Sequence, residues 1–159
     1  MSFERCGCSC GVSRRGAMLV LLGAAGLLRA RTAAAADTEP IVQPAAPGRE
    51  AFMQYAVEMR RLATERGDQA FGAIIVKDDR VIGLGPSRVI LNRDPTAHAE
   101  IEAIRDACRR LGSPDLSGCV MYSTSKPCRM CETAAYWARV ARMYYSTGIT
   151  DGGPPQYGC

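Results

Sequence analysis

Two short segments carry the side chains best suited to chemistry. Asp94-Pro95-Thr96-Ala97-His98-Ala99-Glu100 holds the single histidine two residues before a carboxylate, and Pro127-Cys128-Arg129-Met130-Cys131 brings two thiols three residues apart. Zinc takes tetrahedral nitrogen and sulfur ligands, and a catalytic zinc usually has three protein ligands with the fourth position left to water. His98, Cys128 and Cys131 supply one nitrogen and two sulfurs. Glu100 stands too near His98 to be needed as a ligand; it is placed to take a proton from water and hand it on, as a general acid and base. A lone C-x-x-C also suits a structural zinc half-site or a redox pair, but neither has a use for His98 and Glu100 together.

Both segments fall where helices should begin. Asp94 is a natural N-cap and Pro95 suits a first helical turn. Beyond them Ile101, Ile104, Ala107, Cys108 and Leu111 recur at helical spacing, which predicts a helix to about Arg110 with His98 in its first turn. Pro127 opens a second helix whose first turns put Cys128 and Cys131 on one face. Two helix N-termini then point at one metal, and their dipoles favour thiolates. An earlier helix is expected from about Arg49 to Arg66, with Phe52, Tyr55, Ala56, Met59, Leu62 and Ala63 as its core-facing stripe. Phe71–Val76 reads as a buried strand, residues 77–80 as a hairpin turn and Val81–Gly85 as the antiparallel partner. Val120–Ser123 and Met143–Tyr145 are further strands, each beside a motif helix. Alternating strands and helices give a parallel portion, so the expected class is α/β: a mixed sheet with helices on both faces, in three layers, and the site at strand ends where helices begin.

H-x-E followed by P-C-x-x-C is the signature of zinc nucleobase deaminases, in which the glutamate is the acid and base and not a ligand. From about Phe52 to Tyr145 the chain resembles the cytidine and deoxycytidylate deaminase superfamily, in the branch holding guanine deaminases and tRNA adenosine deaminases. The resemblance is carried by Asp94-Pro-Thr-Ala-His-Ala-Glu-Ile with Ala103-Ile-Arg, and by Met130-Cys131 with Ala135-Tyr-Trp-Ala-Arg139. It implies a cytidine-deaminase-like fold, a zinc cofactor, and hydrolytic release of ammonia from an aminated nucleobase, nucleoside or related heterocycle, a guanine-like purine being favoured. It further implies that Phe71, Ser87, Ala99 and Trp137 contribute to the substrate pocket, a packed helix position being the alternative for Trp137; relatives are often dimers, so a homodimer is an open expectation. Ser87 stands where many members place an asparagine, Ala70 where proline is usual and Lys126 where glutamate is usual. A tRNA adenosine deaminase is the alternative reading; a catalytically silent zinc-stabilised binding domain is a third.

The 159 residues suit one compact domain, residues 49–159, behind a leader and a linker. Ser13-Arg14-Arg15 precedes an apolar run over Ala17–Leu28 that is short for a bilayer span and is followed by alanine-rich sequence. Residues 1–36 therefore read as a removable export signal of the twin-arginine class, with a periplasmic destination and no stable membrane anchor. Cys6, Cys8 and Cys10 belong to that leader. Residues 37–48, with Pro40, Pro44 and Pro47, read as an extended linker, and the Gly/Pro tail from Gly152 as mobile. Of the 20 basic and 16 acidic residues, 1–36 hold five arginines and one glutamate, leaving fifteen of each sign. A tRNA-binding protein is expected to carry a basic excess, so the balance favours a small diffusing substrate and no nucleic acid. An oxidising compartment would permit a disulfide between two of Cys108, Cys119 and Cys159, whose pairing the sequence leaves open.

Overall fold

The structure, a computed structural model, describes residues 40–157. The export signal expected over residues 1–36, the cysteines within it and Cys159 lie outside the described residues. The elements run α1 (Arg49–Glu65), β1 (Gly72–Lys77), β2 (Arg80–Pro86), α2 (Val89–Asn92), α3 (Ala99–Leu111), β3 (Val120–Ser123), α4 (Arg129–Trp137), β4 (Arg142–Tyr145) and β5 (Thr150–Gly153). The sheet order is β2-β1-β3-β4-β5, with β3 and β4 parallel and every other neighbouring pair antiparallel.

β1 is buried on both faces, and its alternation divides the core in two. Ile74 and Val76 pack with Val81, Tyr122 and Tyr144 against Phe52, Met53, Ala56 and Met59 of α1. Ala73 and Ile75 pack with Met121 and Met143 against Ala99, Ala103 and Ala107 of α3 and Ala135 of α4. The result is the three-layer α/β/α arrangement, with both motif helices on one face. The β1–β2 hairpin turns through Asp78 and Asp79 at φ 47° and 56°, the paired positive φ of a type I′ turn.

Three expectations need correction. Residues 40–48 are no free linker, because the Gln43 amide donates to Val81 O at 2.9 Å and accepts from Val81 N at 2.8 Å, covering part of the outer edge of β2. Leu111, assigned to the buried face of its helix, is 41% exposed; the face against the sheet is the alanine row instead. The Gly/Pro tail begins as β5, whose backbone pairs with β4, and Tyr157 beyond it stacks on Tyr136 at 5.8 Å. Cys108 and Cys119 are free thiols, and burial pushes both above the ordinary cysteine range.

The alanine row lets α3 lie against β2, and two glycines complete the fit. A Cβ on Gly85 would overlap the Ala99 carbonyl and lie 2.6 Å from Ala103 N, and one on Gly83 would lie 2.5 Å from Ala103 O. No flexible side chain is there to yield. Gly85→Ala must therefore push the N-terminal turn of α3 off the sheet, at a cost of about 1–3 kcal/mol. Chemical denaturation of the variant should show that loss together with weakened zinc retention; stability within about 0.5 kcal/mol of the parent would contradict the close approach.

Candidate active site

The ligand candidates converge at the starts of α3 and α4, which begin later than the sequence reading put them, at Ala99 and Arg129. His98 is the N-cap of α3 and Cys128 the N-cap of α4, both in extended conformation and neither side chain capping its own helix. The first intrahelical bonds run from Glu102 N to His98 O and from Glu132 N to Cys128 O, each 2.9 Å. Asp94, expected as the cap, instead accepts from Thr96 N at 2.8 Å and Thr96 Oγ1 at 2.7 Å, closing a local turn before the helix. Freed from capping, the imidazole and thiol turn toward each other.

His98 Nδ1 lies 3.7 Å from Cys128 Sγ and 3.6 Å from Cys131 Sγ, and the two sulfurs are 3.5 Å apart. Zinc–sulfur bonds of about 2.3 Å and zinc–nitrogen bonds of about 2.0–2.1 Å at tetrahedral angles require edges of roughly 3.5–3.8 Å. The donor set fits zinc in type and spacing. Its electrostatics agree: burial, and then the charge of Glu100, push the Cys131 thiol well above the ordinary cysteine range. A buried thiolate beside a carboxylate is costly unless a cation shares the site.

Glu100 is buried in the first turn of α3. Its Oε1 accepts a 2.7 Å hydrogen bond from Ser123 Oγ, and its Oε2 lies 3.4 Å from Cys131 Sγ. One oxygen is held and the other faces the ligand group. Ser123 escaped the sequence reading, although a signal existed: it ends a buried strand with the parity of Met121, which faces α3, so a polar residue there asks for a partner.

A hollow of about 150 Å³ adjoins the group, lined by Phe71, His98, Ala99, Glu100, Ser125, Lys126 and Cys128. Phe71 and Ala99 are thus brought to the site; Ser87 and Trp137 are not. Ser87 is 1% exposed and donates its hydroxyl to Asp68 Oδ1 at 2.9 Å, so it is occupied within the protein. Trp137 sits at the far end of α4, 67% exposed, edge-on to Tyr136 and Tyr157, because this short helix buries only Cys131 and Ala135. Asp68 is the second residue that sequence reasoning missed. Its carboxylate also accepts from the backbone N–H groups of Gln69, Ile90 and Leu91, fixing the segment that leads to His98. Burial raises the Asp68 pKa, but these bonds, with that from Ser87, outweigh it and hold the carboxyl below its ordinary value.

Ser123→Ala should leave the zinc content of the purified protein unchanged, since the hydroxyl touches Glu100 and no ligand. Cys128→Ser should lower zinc affinity by orders of magnitude, because a hard, weakly acidic hydroxyl replaces a thiolate. Metal analysis after dialysis against a chelator reads both; loss of zinc from the Ser123 variant would contradict its assignment to Glu100.

Residues 47–147 match the cytidine and deoxycytidylate deaminase zinc-binding region. The chain is 43% identical over 103 residues to a guanine deaminase of Bacillus subtilis, covering 64% of this chain and 66% of that protein. It is 42% identical over 107 residues to a tRNA-specific adenosine deaminase of Agrobacterium fabrum, covering 67% of this chain and 70% of that protein. The crystal structure of the Bacillus subtilis guanine deaminase superposes with a TM-score of 0.60 at 42% identity, over 62% of this chain and 64% of that one. The chain thus spans about two thirds of the length of these relatives.

Proposed function

From the premise that this chain belongs to the cytidine and deoxycytidylate deaminase family, we propose that it is a zinc-dependent aminohydrolase that releases ammonia from a small aminated heterocycle. A guanine-like purine is favoured as the substrate. The observation that carries the reading is Glu100: a buried carboxylate with one oxygen held by Ser123 and the other turned to the ligand group. A site that only stabilises a fold has no use for it.

Zinc held by His98, Cys128 and Cys131 would supply a Lewis acid that brings the pKa of a water close to neutrality. Glu100 takes a proton from the attacking water through Oε2 while Ser123 keeps Oε1 in place. The water oxygen adds to the amine-bearing carbon, and the electrons of the ring C=N bond move to the ring nitrogen, which receives that proton from Glu100. Glu100 then carries the remaining hydroxyl proton to the amine; the C–N bond breaks, a carbonyl forms and ammonia leaves. Phe71, at the mouth of the hollow, offers an aromatic face to the ring. The N–H groups opening α3 have no partner within the helix, and that of Ala99 is available to the tetrahedral intermediate.

A hollow of about 150 Å³ admits a single base, and the even charge balance of residues 37–159 disfavours a polyanionic partner. The homodimer implied by the resemblance belongs to the same proposal. Glu100→Ala should keep zinc and lose at least about 10²-fold in ammonia release from free bases, the typical worth of a positioned acid and base. Undiminished turnover would remove Glu100 from the mechanism. Binding of tRNA at moderate salt, without turnover of any free base, would favour the adenosine-editing reading instead.

We also propose that Arg14-Arg15 directs export. Replacing both by lysine should retain the chain in the cytoplasm, as read by fractionation; unaltered distribution would exclude the twin-arginine route.

A further inference from the structure

Apart from the ligand candidate His98, Lys126 is the one basic side chain lining the hollow beside Glu100. The only acidic group in that lining is Glu100 itself, and its carboxylate is turned inward onto Ser123 and Cys131. Among the described residues several cations elsewhere are paired and others, Arg129 among them, are not, so what sets Lys126 apart is its place in the lining. Arg88 and Arg105 meet Glu102, Arg109 and Arg110 meet Asp106, and Arg139 meets Asp115. Among the described residues no carboxylate lies within ion-pair distance of Lys126. The nearest acid along α4, Glu132, accepts from Gln156 N at 3.3 Å. An exposed ammonium at the mouth of a base-sized hollow is therefore a charge held ready for what projects from the hollow.

Resting on the reading of the hollow as a base site, we propose that Lys126 is a specificity-determining residue that selects aminated heterocycles carrying an oxyanion, a phosphate or a carboxylate, outside the ring. The hollow is too small to hold both ring and tail, and Lys126 is exposed at its rim. The ring enters toward Glu100 and the oxyanion remains at the mouth, where a lysine meets it as a compact, strongly hydrated point charge. Lys126 takes no part in bond breaking. Its effect falls on binding, equally in ground state and transition state, so it moves KM and leaves kcat.

The test measures equilibrium binding of deaminated product pairs to the zinc-loaded full chain by calorimetry, so that no turnover is needed. Inosine monophosphate is set against inosine, and lumazine carboxylate against lumazine, at low and at moderate salt; the two pairs separate a phosphate from a carboxylate. The anionic member of at least one pair should bind about 10- to 100-fold tighter than its neutral partner, the worth of one charge-assisted hydrogen bond. Lys126→Gln should abolish that ratio while leaving the neutral affinity, and Lys126→Arg should restore most of it. Arg129→Gln is the control, since Arg129 is exposed nearby but does not line the hollow, and it should shift the ratio by less than about threefold, through screened long-range attraction only. Equal affinity within both pairs, or a preference that survives Lys126→Gln, overturns the inference. Failure of every product to bind overturns it too, whereas the aminohydrolase reading stands or falls separately on ammonia release from free bases and its loss in Glu100→Ala.

Discussion

Everything at the site depends on three soft donors from two helices being held within 3.7 Å of one another. Cys128 and Cys131 come together almost by local geometry, since one caps α4 and the other lies in its first turn. His98 must be delivered from a different helix, and that depends on how closely α3 approaches the sheet. The alanine row and the paired glycines of β2 set that approach. Small residues here are thus the mechanical basis of the metal site, and their lack of side chain is what makes them useful.

Burial makes the polar groups around this centre sensitive to their partners. Among the described residues no buried side-chain nitrogen or oxygen lacks a hydrogen-bond partner. Glu100 is satisfied by Ser123, and Asp68 by one hydroxyl and three backbone N–H groups. The two carboxylates nevertheless serve different ends. Asp68 spends its acceptors on the loop, which makes that loop a fixed approach to His98. Glu100 keeps one oxygen uncommitted by oxygen or nitrogen donors, and this distinguishes a carboxylate available for proton transfer from one consumed in structure.

The three metal-ligand candidates and the buried carboxylate beside them were legible because zinc chemistry demands particular residue types at particular spacing. The layers were legible because α1 and β1 carry strong periodicity. What escaped has a physical pattern. Helix starts were set too early by capping preference: Asp94 looks like a cap, yet its carboxylate closes a turn, and His98 and Cys128 take the cap positions. β5, with the sequence Thr-Asp-Gly-Gly, offers no apolar alternation and pairs through its backbone alone. Gly152 is needed there because a Cβ would sit 2.9 Å from the Tyr145 ring. Ser87 and Trp137 were placed at the substrate by resemblance; the structure gives the first to Asp68 and the second to an aromatic cluster at the far end of α4.

Chemistry and selectivity are held by different parts of the fold. His98, Glu100, Cys128 and Cys131 lie at or within the first turns of two packed helices, whereas Phe71, Ser125 and Lys126 lie just outside the ends of β1 and β3. Those two ends are tied together: Gly72 N donates to Thr124 Oγ1 at 3.1 Å, and Thr124 N donates to Gly72 O at 2.9 Å. The aromatic wall and the cationic rim are therefore one crosslinked unit and not two independent loops. His98 is anchored from the opposite side, through α3 and its contact with β2, and the two thiols are carried by α4. Substrate range can change on such a scaffold while the hydrolytic centre stays fixed. On the proposed function, the zinc motif would carry the reaction and the residues flanking it, Lys126 among them, the choice of molecule.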